Sequence, residues 1–295
     1  MSNPADAFET TRMTLGEHLE ELRKRLFRSV LVLAVAFLVA WGFKDELSKY
    51  VMLPWRTAVT RINADLVQRY EEHLAAHPEV ARSTYFKSDD PADKELLDPI
   101  DPRLSALGPG DSFFFALNIS LYFAAFFGGP FVLWQMWQFV AAGLYRQERR
   151  LVHMYFPFSL LLFLGGVVFC YLWVVPLGLY FLAGTLPLDQ VKPDMTTGKY
   201  FDFLSTLCLA MGAVFQLPIL MIVLSSLGIV EPRTYSKYRA HFLVIALFVA
   251  AVVTPGPDYY SQILMTIPMY ILYEIGIVIA RWRARPRQHP GGDPQ

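Results

Sequence analysis

From Leu26 to Ala280 the chain alternates between uncharged apolar blocks and short charged segments. That pattern predicts helices that cross a membrane, since ~30 Å of hydrocarbon requires ~20 helical residues. The first block covers 26–43. The second, 112–145, has no charge and is long enough for a span plus a connecting turn. The third, 151–188, is uncharged apart from His153 and predicts a helix ending near Pro176, then a short apolar segment outside the bilayer. A fourth block covers 203–230, and the last two, 241–254 and 259–280, are parted only by PGPD. The expected fold is therefore an all-α integral membrane protein with six transmembrane helices, forming one domain over 1–295. At 1.5 Å per residue the fifth span reaches only ~21 Å. The sixth is interrupted by Gln262, Pro268 and Glu274. Both read as short spans that tilt little and thin the bilayer locally.

Charge sets the orientation. The segments that lie inside when the N-terminus is inside (1–28, 136–150, 228–240 and 281–295) carry fifteen Lys and Arg residues. The two short outside segments carry two and none. The long 44–111 stretch has nine, outnumbered by its acids, and long translocated loops weigh little in topology. Both termini are thus expected in the cytoplasm, with a multi-pass protein in the inner membrane and a cytoplasmic tail at 281–295. The first apolar run follows a polar, acid-containing segment and ends in AWGFKDE without a small-x-small site, so it reads as a retained span. Within 44–111, residues 60–108 look like a soluble extracytoplasmic insertion: helical patterning first, then a loop rich in Pro and Asp.

Composition narrows the chemistry. Hydrophobic residues make up 54% of the chain, too many for an ordinary soluble domain, and the zero net charge gives no pull toward nucleic acid. Cys170 and Cys208 lie inside apolar blocks and read as packing residues. His18, His153 and His241 stand near predicted helix ends without ligand spacing, so no metal or other cofactor is expected.

Just before the first span stands GEHLEELRKRL, 16–26. Thr14 and Glu17 fit a capping box, and Leu15, Leu19, Leu22 and Leu26 form one stripe. This predicts a cytoplasmic amphipathic helix, within 1–25, lying on the membrane surface. Glu20–Lys24 and Glu21–Arg25 are i,i+4 pairs in the favoured order, with Glu21 flanking the leucine stripe and Glu20 further toward water. A second cluster, WQFVAAGLYRQERRLV, holds Glu148 among Arg146, Arg149 and Arg150, whose field keeps it ionised.

HLEELRKRL, QMWQFVAAGLYRQERR, FQLPI and TPGPDYYSQILMTIPMYILYEIGI, in that order, resemble the successive signatures of the TatC family, from about Met13 to Trp282 without the 60–108 insertion. TatC is the multispanning subunit of the twin-arginine translocase. The resemblance implies a non-enzymatic receptor for precursors with a paired-arginine signal peptide. Such precursors cross folded, with TatA and TatB as partners, the proton-motive force as energy source, and a homo-oligomer within the complex. It also implies that Glu21 and Glu148 contact the signal's arginines, that Arg23 is the motif arginine, and that Phe139 lies near the bound signal. An arginine fork matches a carboxylate bidentately and lysine does not.

Further family positions follow from the resemblance. Gln216 stands where the family usually has glutamate in the fourth span, and reads either as a polar notch or as helix–helix glue. Glu274 reads as paired with a cation more readily than as a proton carrier. Thr254, Ser261 and Gln262 would receive the single helix of TatB or TatA. Asp258 would form the turn between the last two spans, and Pro54 would shape the outer cap. Ala142 replaces a common proline and Asn118 a frequent lysine. A six-span secondary transporter coupled through Glu274 or Asp258 is the alternative, although no cluster of charges lies at mid-membrane. An intramembrane protease lacks its nucleophile–base pair.

Overall fold

The computed structural model describes residues 15–76, 100–144, 149–184, 195–254 and 259–283. Eleven helices account for nearly all of these: α1 Leu15–Gly42, α2 Lys44–Val51, α3 Leu53–Ala76, α4 Asp111–Ala142, α5 Arg149–Phe169, α6 Val175–Gly184, α7 Thr197–Val214, α8 Leu217–Ser226, α9 Pro232–Lys237, α10 Arg239–Val253 and α11 Tyr259–Arg283. One isolated bridge, Ser105 to Thr196, is the β-pairing among the described residues. The bundle has a near side, where α1 begins, and a far side, where it ends.

Proline placement explains the breaks. Pro176 lacks an N–H and would strain a regular helix, and the five residues before and around that point, Cys170–Val174, widen into a π turn. The chain thereby continues from α5 into α6 as one apolar rod, Arg149–Ala183, without ending at Pro176 as the sequence led one to expect. Pro218 at the start of α8 does break its span: α7 stops at Val214, and Phe215 and Gln216 form the joint. Pro130, Pro157 and Pro268 remain inside α4, α5 and α11. Neighbouring helices re-satisfy the freed carbonyls in such settings.

Among the described residues, five helical rods are long and apolar enough to cross a membrane, and α10 is a shorter apolar helix of 15 residues. The short fifth helix matches expectation, whereas the sixth does not. α11 runs unbroken for 25 residues, about 37 Å by helical rise, so Gln262, Pro268 and Glu274 do not shorten it. Another difference concerns the entrance to the first span. No joint separates the amphipathic segment from the span; α1 is one helix of 28 residues. Thr14, the proposed cap, lies outside the described residues.

Helix contacts place the α7–α8 rod at the centre, with more than half of its apolar stretch buried, whereas that of α1 is mostly exposed. α1 packs antiparallel on α4, with His18 stacked on Phe139 and Leu33 meeting Gly128. Close approach elsewhere relies on small residues: a Cβ on Gly166 would fall 2.6 Å from the Phe215 ring and 2.9 Å from the Met211 carbonyl oxygen.

The far side is closed by a cap that the sequence had suggested was largely an insertion. Trp55, Ala58, Val59 and Ile62 on α3 are buried, together with Val51 and Ile100. They join Leu179, Tyr200 and Leu204 in one cluster. Residues 60–76 therefore belong to the core helix α3, and only 77–99 of the supposed insertion lies outside the described residues. Pro54 is buried at the second position of α3, where a missing N–H costs nothing. Asn63 clamps Ile100 through both backbone groups, at 3.1 and 2.9 Å. The hydroxyls of Tyr171, Tyr180 and Tyr200 donate to the Tyr50 carbonyl, the Asp65 carboxylate and the Val51 carbonyl.

Candidate functional site

At the near end, α1 presents two stripes of the same period. Leu19, Leu22 and Leu26 are exposed, while His18, Glu21, Arg25 and Ser29 sit on the face turned to α4. The sequence suggested that the leucines govern how this helix lies; the structure shows that the polar stripe makes the protein contact. His18 stacks on Phe139 with ring centroids 4.3 Å apart and planes 25° from parallel. Gly143, just past α4, borders this stack, and a Cβ there would make ordinary van der Waals contact with the His18 ring at 3.5 Å.

Glu21 accepts a bond from the Arg25 guanidinium through Oε1. Its side chain is 25% exposed and that of Arg25 is 15% exposed. Glu20 pairs with Lys24 at 2.8 Å in open solvent, and Arg23 is exposed. The two glutamates of one motif thus have different environments: Glu20 is solvated, and Glu21 is half sheltered beside an aromatic stack. A carboxylate has about four lone-pair sites, so Glu21 keeps acceptor capacity beyond Arg25. The contacts His18–Phe139 and Leu33–Gly128 set a register that puts Gln135 level with residues 22–26. Gln135 is buried, and neither its Oε1 nor Arg25 Nε has a hydrogen-bond partner among the described residues. Gln135 escaped the sequence reading, and His18 figured there only as a histidine near a helix end, although His18, Glu21 and Arg25 share an i,i+3,i+7 spacing that could have shown the polar face.

Glu148 lies outside the described residues. The next residue, Arg149, reaches back to the carbonyls of Leu144 (3.3 Å) and Ala142 (3.4 Å). Ala142 therefore contributes its carbonyl to the start of this loop.

Mid-bundle polar groups satisfy one another. Trp137 Nε1 donates to Ser159 Oγ at 2.7 Å, and Ser159 Oγ donates in turn to Gln216 Oε1. Gln216 Nε2 donates to the Ser159 carbonyl at 3.0 Å. The network ties α4, α5 and the α7–α8 joint together, which is the glue alternative for Gln216. Glu274 is in an ion pair with Arg239: Oε1 lies 2.7 Å from Nε, and Oε2 accepts from Nη2 at 2.8 Å. Since Arg239 begins α10 on the near side, Glu274 stands at that end of the bundle.

The three residues expected to receive a partner helix lie at the far end of α10 and the start of α11. Thr254 is buried and donates to the Ala250 carbonyl at 2.9 Å. Ser261 is buried against the Gly178 position of α6. Gln262 is half-buried, and its amide donates to the Leu247 carbonyl on α10 at 2.9 Å. The polar atoms of Thr254 and Gln262 are thus bonded within α10 and between α11 and α10, since burial in an apolar bundle demands internal partners. The outward surface of α10 and α11 is instead Phe248, Val252, Tyr259 and Ile263. Asp258 lies outside the described residues.

A helical membrane protein results, whose mid-bundle Trp137, Ser159 and Gln216 are paired with one another and whose half-sheltered carboxylate lies at one end. The chain belongs to the TatC family: the family profile described as "Sec-independent protein translocase protein (TatC)" matches residues 17–268. Among curated relatives, TatC of Aquifex aeolicus is 31% identical over 94% of this chain and 98% of its own length. TatC of Escherichia coli K12 is 31% identical over 90% of this chain and 87% of its own. TatC of Halothiobacillus neapolitanus is 33% identical over 94% of this chain, which spans 65% of that longer protein. A crystal structure described as the twin arginine translocase receptor TatC superposes with a TM-score of 0.64 at 31% identity, covering 91% of this chain and all of that one.

Proposed function

We propose that this chain is the signal-peptide receptor and core scaffold of a Sec-independent protein translocase in the inner membrane, with both termini in the cytoplasm. Membership of the TatC family supports the translocase role, and the positive charge of the near-side segments supports the orientation. The near-side notch is then the place where a paired-arginine signal is read. One observation carries this reading: Glu21 is held half sheltered on the α4-facing side of α1, next to the His18–Phe139 stack. A guanidinium can bind the carboxylate there while an adjoining apolar residue packs on the phenyl ring. Glu148 follows by chain connection, one residue from the anchored Arg149. Arg23, exposed on the same helix, keeps this end near anionic headgroups.

Folded precursors are the cargo, the proton-motive force drives transport, and the chain acts as a homo-oligomer with TatA and TatB. A partner helix on α10 and α11 packs against their exposed apolar face, with Thr254, Ser261 and Gln262 shaping that face from within.

The test is binding of a labelled peptide carrying Arg-Arg before an apolar run to the purified protein in neutral detergent. A charge-assisted contact contributes ~1.5–3 kcal/mol. Because Glu21 already holds Arg25, an incoming arginine shares the carboxylate, and the lower value applies. Glu21→Gln is expected to weaken binding about tenfold, at 1.4 kcal/mol per decade. Glu148→Gln and a Lys-Lys peptide are expected to do so at least as strongly. Unchanged affinity for both variants would remove the notch from signal reading.

A further inference from the structure

On the far side, an open cleft of about 720 Å³ lies between α2, α3, the 102–106 segment and the start of α4. Lys49, Arg56 and Arg103 line it, against a single lining carboxylate, Asp111. That carboxylate is already committed, since Asp111 Oδ2 accepts the backbone N–H groups of Leu107 (2.6 Å) and Gly108 (3.0 Å). Lys49 is paired with Glu46 at 2.8 Å on the solvent side, and Arg103 is only loosely held by Asp101 at 4.0 Å. The cleft is thus a cationic recess with a partly apolar wall of Met52, Leu104 and Phe115.

Its depth in the bilayer can be read from the chain. The charge-free stretch of α4 begins at Ser112, which lines the cleft; the charge-free stretch that contains most of α1 ends at Phe43, just before α2, whose Ser48 and Lys49 also line it. Exposed aromatics ring the same level: Phe43, Tyr50, Phe113 and Phe114. Trp41 stands edge-on to Phe113 at 5.9 Å and carries Lys44 over its face at 5.3 Å. Aromatic belts of this kind mark the headgroup level. Three cations in a recess at that depth meet phosphate before any other abundant anion, and arginine forks bind phosphate oxygens in pairs.

We propose that the far-side cleft is a binding site for the phosphodiester headgroup of an anionic phospholipid from the adjoining leaflet. The phosphate sits among Arg56, Arg103 and Lys49, and the acyl chains descend along the exposed aromatic face of α4. A lipid so held ties the α2–α3 cap to the first two spans.

The experiment uses the full chain in neutral detergent, delipidated and titrated with phosphatidylglycerol, and reads bound lipid by native mass spectrometry. Phosphatidylcholine and inorganic phosphate serve as comparison ligands. Each cation near a headgroup contributes roughly a fivefold factor, so Arg56→Gln/Arg103→Gln is expected to bind one phosphatidylglycerol about 25-fold more weakly. Arg103→Glu alone is the second variant; its side chain is 90% exposed, so charge reversal leaves the fold intact, and it is expected to weaken the same lipid at least fivefold. Unaltered lipid binding in both variants overturns the proposal. So does equal binding of phosphatidylcholine, or displacement of the lipid by inorganic phosphate at matching concentration, which would mark a site for the free anion.

Discussion

Replacing Ser159 by alanine should damage the bundle more than replacing Gln216 by leucine, although glutamine is the larger polar group. Ser159 is the hub: its hydroxyl accepts from Trp137 and donates to Gln216. Ser159→Ala leaves the Trp137 N–H and the Gln216 carbonyl oxygen without those partners, in places where water is scarce. Each orphaned buried group costs ~1–3 kcal/mol, while interhelical bonds in membranes average ~0.6 and reach ~1.7. A loss of about 2–3 kcal/mol follows. Gln216→Leu removes two bonds as well but leaves fewer orphans. The Ser159 hydroxyl still accepts from Trp137 and can turn back to the Tyr155 carbonyl one helical turn earlier. That variant should cost about 0.5–1 kcal/mol. In the double variant the orphaned glutamine oxygen is gone, so Gln216→Leu added to Ser159→Ala should restore about 1 kcal/mol. Unfolding in detergent, followed by intrinsic fluorescence across a denaturant series, measures all three. Strictly additive losses, or a larger loss for Gln216→Leu alone, would refute this assignment of roles.

Other consequences can be checked with the same material. Gly166→Ala forces a Cβ into Phe215 and the Met211 carbonyl and should cost about 1–3 kcal/mol, whereas Gly165→Ala meets nothing within 4 Å and should be neutral or slightly stabilising in the same unfolding assay. Tyr200→Phe deprives the buried Val51 carbonyl of its donor and should lower stability by about 1–3 kcal/mol. Limited proteolysis should then open the far-side cap while near-side peptide binding persists. Glu20→Gln, next to the proposed site but solvated with Lys24, should leave paired-arginine peptide affinity within about twofold, the scale of an exposed pair. An effect equal to that of Glu21→Gln would place the reading surface on the other face of α1.

Much of the bundle could be read from the chain, for reasons that also explain the misses. Long uncharged blocks have few alternatives in a membrane, so the helices could be located by hydropathy alone. Where one helix yields to the next is a local matter that hydropathy does not report. α1 passes through Leu26 because nothing in LRKRLFRS stops a helix: it has no proline and no glycine, and the Glu20–Lys24 and Glu21–Arg25 pairs reach into it. Pro218 stops a helix and Pro268 does not, which depends on what neighbours supply to the freed carbonyl. In α3 the buried positions 55, 58, 59 and 62 follow the helical i,i+3,i+4,i+7 rule. That signal was present, but Arg56 and Arg61, with Asp65 and Arg69 further along, made the segment look like a soluble insertion. In the candidate site, the residue type of Glu21 was legible and its direction was not. A leucine stripe and a polar stripe of equal period can each face a partner, and the choice lies with Phe139 and Gln135 on a helix more than a hundred residues away.

The distribution of polar groups decides between a receptor and a carrier of small solutes. A carrier needs a mid-membrane site whose donors and acceptors are left open for its substrate. Among the described residues, the mid-bundle polar groups Trp137, Ser159 and Gln216 close a circuit with one another. The acid that seemed a candidate for coupling, Glu274, is taken by Arg239 at the near end of α10 and α11. Among the described residues, unspent capacity lies toward the two ends of the bundle: Trp55 Nε1 lacks a partner in the far-side cap, and Arg25 Nε and Gln135 Oε1 lack partners beside the half-sheltered Glu21. Buried polar atoms without partners cost stability, so a fold keeps them where something else completes them. A ligand that completes this notch must supply both a donor for the amide oxygen and an acceptor for the guanidinium. An extended peptide backbone does both at once, and a guanidinium on its side chain adds the charge that Glu21 can still accept.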